Sequence, residues 1–199
     1  MNFIDFLKQE IKNKQQENRK ELFKNSNLKA LLKKISLYKE KYHDDREINI
    51  ILDEITRSVY LQNILSKDPM KQNICEKSQI KYILNKNINI TKQIKPLYIN
   101  NGEFTNSKPA TSNIKSIDAI IVMNNKKYYC YLKYINETGG AQDNQYNDCK
   151  LFLQECLGFT ESYFMLIVDG KYFSIKKMNE LRKIQTSNSF LIITTSDEL

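Results

Sequence analysis

The sequence predicts a mixed α/β (α+β) fold, in which helices flank a mixed central sheet and a helical region precedes it. Before residue 86, apolar residues recur mainly at helical spacing. After residue 115, apolar stretches of strand length alternate with amphipathic helical stretches. A chain of 199 residues can bury one good core, so we expect a single domain over 1–199, with a mainly helical part at 1–85 and an α/β core at 86–199.

The helical part is expected to contain four helices, each with one apolar face. Their predicted bounds are 2–23, then 28–37 after a cap at Asn25 or Ser26, then from Asp44 or Asp45 to Ile64, and finally 76–85. The third helix ends before Asp68-Pro69, because the residue preceding a proline is disfavoured in helical conformation.

The α/β core is expected to begin with an irregular stretch. Residues 86–115 are rich in Asn, Thr, Ser and Lys, which predicts a short strand at 97–99 and then a long loop. The elements that follow are strands at 117–123 and 128–135 joined by a turn at Asn124-Asn125, a helix at 141–157, a strand at 163–168, a turn at Asp169-Gly170, a helix at 176–184 and a strand at 190–195.

Composition narrows the possible functions only partly. The net charge of +8 suits a phosphate backbone, although abundant Lys, Asn and Ile are also what an AT-rich genome encodes. The four cysteines form no CxxC pair and His43 is the only histidine, so a structural zinc site is not expected. No apolar run approaches the roughly 20 residues of a membrane span, and the N-terminus lacks signal-peptide features, which predicts a cytoplasmic protein without a membrane partner.

The hairpin at 117–135 brings together two residues that can do chemistry. Asp118 lies near the start of its first strand and Lys133 near the end of its second. Because hairpin strands are antiparallel, we expect these two side chains to be neighbours. Hydrolysis of a phosphodiester needs a hard cation such as Mg²⁺ held by oxygen ligands, and a nearby lysine to orient water or to neutralise charge.

A glycine step follows the hairpin and leads into the next helix. Gly139-Gly140 allows a sharp turn and a close approach to a ligand, and the amides at a helix start attract phosphate oxygens. We predict contacts to double-stranded DNA from this step and from the preceding loop, where Lys108 lies with Asn101 and Asn106. The predicted DNA-binding residues are Gly139, Gly140, Gln142, Asp143, Gln145 and Lys108.

This arrangement resembles the PD-(D/E)xK nuclease superfamily, and within it the type II restriction endonucleases. The matching residues are Asp118, the segment Tyr131-Leu132-Lys133, and GGAQDNQ at 139–145. The resemblance covers roughly 114–175 and implies a restriction-endonuclease-like fold. It also implies that Asp118 is a Mg²⁺ ligand, that Lys133 is the catalytic lysine, and that Leu132 offers its main-chain carbonyl to the metal.

Tyr131 departs from the motif, because the superfamily has an acid at this position. A phenol with a pKa near 10 is a poor Mg²⁺ ligand at neutral pH. The acid has either migrated to Glu137 or Asp143, or is supplied by Glu47 or Glu54 of the N-terminal helices, or is missing from an inactive site. The residues we assign to catalysis are Asp118, Lys133, Glu137 and Gln142, and those assigned to the metal are Asp118, Glu54 and the backbone of Leu132.

Together with these residues, the resemblance implies a bacterial type II site-specific endonuclease that cuts double-stranded DNA with Mg²⁺. A palindromic target would require a twofold homodimer, because DNA symmetry is matched by protein symmetry. Two alternatives remain at this point: a catalytically inactive DNA-binding protein on the same scaffold, and a nuclease of repair, recombination or defence.

Overall fold

A computed structural model describes residues 1–24, 27–109, 116–137, 139–185 and 190–199. The predicted caps at Asn25 and Ser26 lie outside these residues. The chain forms two compact units, one over Leu7–Ile74 and the other over Met1–Phe6 together with Cys75–Leu199. No helix among the described residues is long and apolar enough to cross a membrane.

The first unit is helical. Its elements are the part of α1 (Phe3–Leu22) that follows Phe6, α2 (Leu28–Tyr42), α3 (Ile48–Arg57), α4 (Val59–Leu65) and a 3₁₀ turn at Pro69–Gln72. Branched aliphatic side chains from these helices, among them Ile35, Ile51 and Ile55, are fully buried and form the core of the unit.

The single helix predicted from residue 44 to 64 is in fact two helices. Ser58 separates α3 from α4, because its backbone is extended. Its hydroxyl accepts a hydrogen bond from the Leu61 N–H at 3.3 Å and so caps α4. The apolar spacing continues across this break, so periodicity alone did not reveal it.

The second unit is built on a sheet. Its elements are α5 (Ile74–Asn85), β1 (Asn89–Lys92), β2 (Tyr98–Asn100), β3 (Glu103–Thr105), β4 (Ala119–Met123), β5 (Lys126–Tyr134), α6 (Gly140–Cys156), β6 (Tyr163–Asp169), α7 (Ile175–Gln185) and β7 (Leu191–Thr194). Five strands form one sheet in the order β1-β4-β5-β6-β7, antiparallel as far as β5 and parallel from β5 to β7. The predicted mixed α/β fold, a mixed sheet flanked by helices, is confirmed.

Helices cover both faces of this sheet. Side chains of α6 and α7 pack against one face, where Tyr131 and Phe164 are buried. Ile83 of α5 packs against the other face, where Leu132 is buried. Successive residues of β5 therefore enter different cores, as the alternation of side chains along a strand requires.

The short strand predicted at 97–99 corresponds to β2, whereas β1 and β3 were not predicted. Strand β1 pairs antiparallel with β4, and β2 pairs with β3 in a separate hairpin. The hairpin turns at Asn101 and Gly102, which both have positive φ. Asn-Gly is the pair that favours such turns, so this hairpin was readable from the sequence. The Asn- and Lys-rich composition led instead to the prediction of a long loop.

Candidate functional site

A cavity of roughly 310 Å³ opens beside the start of β4 and the end of β5. It is lined by Glu76, Tyr98, Lys108, Ser116, Asp118, Tyr131, Leu132 and Lys133. The predicted neighbours Asp118 and Lys133 thus line the same cavity, together with the backbone-ligand candidate Leu132 and the loop residue Lys108.

The register of the β4–β5 hairpin sets this juxtaposition. Ala119 pairs with Cys130, and the Asp118 N–H donates to the Cys130 carbonyl at 2.9 Å. The carboxylate oxygen Oδ2 of Asp118 accepts a hydrogen bond from the Leu132 N–H, also at 2.9 Å. Asp118 is therefore held against the Tyr131-Leu132-Lys133 segment by both its main chain and its side chain.

The environment of Asp118 disfavours its charged form. The residue as a whole is partly exposed, and its carboxylate oxygen Oδ2 is turned toward the main chain of Leu132. Burial raises the pKa of this carboxyl to about 7, and the negative charge of Glu76 acts in the same direction. The Leu132 N–H, Lys133 and Lys92 oppose the increase. A carboxyl whose ionisation is disfavoured by burial is typical of functional sites, where a bound cation can compensate the free-energy cost of its negative charge.

Glu76 is a carboxylate that the sequence analysis did not assign to the site. It lies in the first turn of α5, lines the cavity and pairs with Lys92 Nζ at 2.5 Å. The sequence analysis included a carboxylate from an N-terminal helix as one alternative, but it predicted Glu47 or Glu54 for this role. Glu54 belongs to the helical unit, where Arg46 Nη1 lies 2.5 Å from its Oε2.

Tyr131, at the position where the resembled motif has an acid, is a core residue. Its ring is only 3% exposed and stacks on Phe152 with the ring centroids 5.1 Å apart. Burial raises the pKa of the phenol above its ordinary value, so Tyr131 stays neutral. Lys133 Nζ donates a hydrogen bond of 3.4 Å to the Tyr131 hydroxyl, and lies 5.4 Å from the ring centroid. Tyr131 therefore orients the lysine and is not available as an anionic metal ligand.

We expect Tyr131→Glu to lower the free energy of unfolding by about 3 kcal/mol, since it removes a stacked ring and buries a carboxylate in the same core. Tyr131→Phe keeps the stacking on Phe152 and should cost less than about 1.5 kcal/mol. Urea unfolding of the two variants and the wild type measures the difference. A Tyr131→Glu protein as stable as the wild type, with increased Mg²⁺-dependent cleavage, would show instead that this position accepts the motif acid.

The start of α6 lies outside the cavity lining. Gly139 and Gly140 form the N-cap and first residue of this helix. Asp143 Oδ1 accepts a hydrogen bond from the Tyr172 hydroxyl, and Lys177 Nζ lies 3.9 Å from it. The residues predicted here that the cavity lining does not include are Glu137, Gly139, Gly140, Gln142, Asp143 and Gln145. The predicted site thus divides into a hairpin part, whose residues line the cavity, and a helix-start part, whose residues do not.

The donors around the cavity suit a hard cation. Asp118 and Glu76 offer carboxylate oxygens and Leu132 offers a main-chain carbonyl, and oxygen ligands are the ones that Mg²⁺ prefers. Clusters of three or more His, Cys, Asp or Glu side chains able to hold a metal are absent from the part of the chain that the structure describes. Mg²⁺ usually keeps several waters and takes one or two protein carboxylates, so this donor set fits it.

Lys133 has no carboxylate partner in contact among the described residues. Its ammonium group meets the Tyr131 hydroxyl, and its charge acts on Asp118 from a longer distance. A cation left without an ion pair at a cavity is available to a phosphate oxygen.

Compared with protein-family models, with curated proteins and with solved structures, the chain matches none of them.

Proposed function

We propose that this protein is a Mg²⁺-dependent endonuclease that hydrolyses phosphodiester bonds of double-stranded DNA, on a restriction-endonuclease-like scaffold of the PD-(D/E)xK type. The observation that carries the proposal is the presence of Asp118, Glu76 and Lys133 around one cavity. Two carboxylates and a lysine are the side chains that metal-assisted phosphodiester hydrolysis requires.

Asp118 and Glu76 would hold the metal, with the Leu132 carbonyl as a third protein ligand. When bound, Mg²⁺ supplies a Lewis acid that polarises the phosphate and lowers the pKa of a coordinated water. The Leu132 N–H fixes Oδ2 of Asp118, so the direction of this carboxylate is set before any ligand arrives.

Lys133 would act on the phosphate group itself. Its ammonium can donate hydrogen bonds to a phosphate oxygen and neutralise the charge that develops on the phosphate in the transition state. Tyr131 limits the directions in which this flexible side chain points, because the ammonium contacts both its hydroxyl and its ring. A positioned lysine is more effective than a freely rotating one, since less entropy is lost when it binds.

Lys108 extends the positive charge at the rim of the cavity toward the DNA backbone. It is exposed and also lines a second, adjacent cavity with Asn100 and Thr105. Together with the net charge of +8, this supports a phosphate backbone as the ligand. Restriction-type sequence specificity and a twofold homodimer are the corresponding proposals for target and assembly.

A catalytically inactive DNA-binding protein is the second candidate. It is favoured by one observation, the buried Tyr131 at the position of the motif acid. Such a protein would bind duplex DNA with a strong salt dependence and would not cleave it, whichever metal ion is added.

Incubation of plasmid DNA with the purified protein tests both candidates. We expect Mg²⁺-dependent cleavage that chelation by EDTA abolishes, and that yields discrete fragments if the enzyme is of the restriction type. A smear would favour a nuclease of repair, recombination or defence. DNA binding without cleavage in Mg²⁺ or Mn²⁺ would leave the inactive DNA-binding protein as the correct reading.

We expect Glu76→Gln to weaken Mg²⁺ binding about tenfold or more, because it removes one of two anionic ligands from a partly buried site. Calorimetric titration with Mg²⁺ in the absence of DNA measures this directly. The same substitution at Glu137, which is exposed and outside the cavity lining, serves as the matched comparison. If Glu137→Gln lost the affinity and Glu76→Gln kept it, the migrated acid would be Glu137.

A further inference from the structure

Gln79 occupies an unusual place on α5. It lies three residues after Glu76, hence on the same side of the helix, and it is only 1% exposed. Its amide nitrogen donates to Oδ2 of Asp169 at 2.7 Å and, more weakly, to the Lys133 carbonyl at 3.4 Å. The buried side chain of Gln79 therefore connects α5, which carries Glu76, with the main chain of Lys133 in β5.

Asp169 is a firm anchor for this amide. It ends β6 and is 6% exposed. Besides Gln79, it accepts hydrogen bonds from the Ser196 N–H at 3.1 Å and the Ser196 hydroxyl at 2.6 Å. Burial raises the pKa of this carboxyl, whereas these three hydrogen bonds lower it. Three donors on one buried carboxylate fix its orientation and, through it, that of Gln79.

The apolar contacts of α5 with the sheet are less directional, and the Tyr82 hydroxyl, which donates to Asp197 Oδ1, lies farther along the helix from Glu76 than Gln79 does. Ile80 and Ile83 pack against the apolar face that includes Leu132, and such contacts tolerate a small rotation or slide of the helix. The hydrogen bond at 2.7 Å does not tolerate it, since its energy falls steeply when the geometry changes. Among the described residues, the ion pair of Glu76 is with Lys92, and both side chains of this pair are partly exposed.

We propose that Gln79 is a positioning residue whose amide, anchored by Asp169, sets the place of Glu76 opposite Asp118 and of the main chain at Lys133. The inference rests on the proposed function, because it assigns Gln79 to the metal-binding geometry of the same cavity. It requires that metal affinity depend on a hydrogen bond made by a residue that lies outside the cavity lining.

Gln79→Met tests this, because methionine has nearly the same volume and offers no donor. We expect the affinity for Mg²⁺, measured by calorimetry without DNA, to fall about tenfold, as loss of an outer hydrogen bond does at metal sites. Ser78→Ala is the matched control, since the Ser78 hydroxyl is equally buried on α5 but makes no hydrogen bond within the described part of the chain. This control should bind Mg²⁺ as the wild type does.

A pair of substitutions separates positioning from general destabilisation. Gln79→Glu places two carboxylates in contact, and adding Asp169→Asn restores the hydrogen bond with donor and acceptor exchanged. We expect the double variant to recover most of the Mg²⁺ affinity that Gln79→Glu alone loses, with all proteins folded at the assay temperature.

Wild-type affinity in folded Gln79→Met, or a double variant no better than Gln79→Glu, would overturn the positioning role while leaving the proposed function intact. A wild-type protein that binds no Mg²⁺ at all would overturn the proposed function, and the positioning role with it.

Discussion

Replacement of Asp118 by asparagine is expected to abolish Mg²⁺-dependent DNA cleavage and, in the same protein, to increase the stability of the fold at pH 8. Asparagine has the size of aspartate and keeps an oxygen that accepts the Leu132 N–H. It removes the negative charge, so the loss of cleavage should be about a thousandfold or greater, which corresponds to about 4 kcal/mol of transition-state stabilisation.

The gain in stability follows from the raised pKa of Asp118. Its ordinary value is 3.8 and its value in the folded protein is about 7. Well below its ordinary pKa of 3.8 the carboxyl is protonated in both the folded and the unfolded state, and it does not lower the free energy of unfolding. As the pH rises from 4 to 7, the unfolded chain ionises first, so the free energy of unfolding decreases, and above pH 7 the full cost is present. Asparagine does not ionise, so we expect the free energy of unfolding of the Asp118→Asn variant at pH 8 to exceed that of the wild type by about 2 kcal/mol.

Urea unfolding without metal at pH 4 and pH 8 measures this effect, with Asp45→Asn, at an exposed carboxylate, as the control. The Asp118 variant should differ from the wild type at pH 8 and much less at pH 4. Equal differences at both pH values would contradict the raised pKa. Retained cleavage would remove Asp118 from the site, whatever the stability.

Lys133→Ala should lose cleavage to a similar extent but without the gain in stability at pH 8, because the lysine lowers the pKa of Asp118. Lys127→Ala is the matched control, since Lys127 is exposed on the same strand. Loss of cleavage in Lys133→Ala with unchanged DNA binding assigns the lysine to chemistry. Full activity in this variant would exclude it.

Local geometry explains why the hairpin half of the site could be predicted from the sequence. Asn124 and Asn125 both adopt positive φ, as the tight turn requires, and this turn fixes which residues of β4 and β5 face each other. Once the turn is placed, Asp118 must lie beside Tyr131-Leu132. Register in a hairpin depends on neighbours in sequence, and a sequence contains that information.

The position of Glu76 depends on contacts between distant segments. Its helix was predicted, but β1 was not, and it is β1 that pairs with β4 and brings Lys92 to Glu76. Ile90 is the one buried residue of β1. A single apolar residue in the polar stretch 86–115 was not enough to predict a strand there. An acid at the start of a helix is common in any sequence because it complements the helix dipole, which hides a functional role.

The second large effect concerns stability and lies at Gly170, directly after Asp169. We expect Gly170→Ala to lower the free energy of unfolding by about 3 kcal/mol. Gly170 has a φ of 103°, which residues with a side chain rarely adopt, and an added Cβ would lie 2.2 Å from the Ile135 carbonyl oxygen. That oxygen cannot move away, since it accepts the Tyr172 N–H at 3.1 Å while the Ile135 N–H donates to the Asp169 carbonyl at 2.9 Å.

Gly140→Ala is the matched control for this prediction. Nothing lies within 4 Å of a Cβ placed at Gly140, which begins α6, so alanine there should be neutral or slightly stabilising. Thermal or urea unfolding of both variants measures the difference, and a Gly170→Ala protein as stable as Gly140→Ala would contradict the rigidity of the turn.

Because this turn follows the carboxylate that holds Gln79, a Gly170 variant that stays folded should also bind Mg²⁺ more weakly than the wild type. Loss of stability with unchanged metal affinity would confine the role of the turn to folding and would separate Asp169 from the geometry of the cavity.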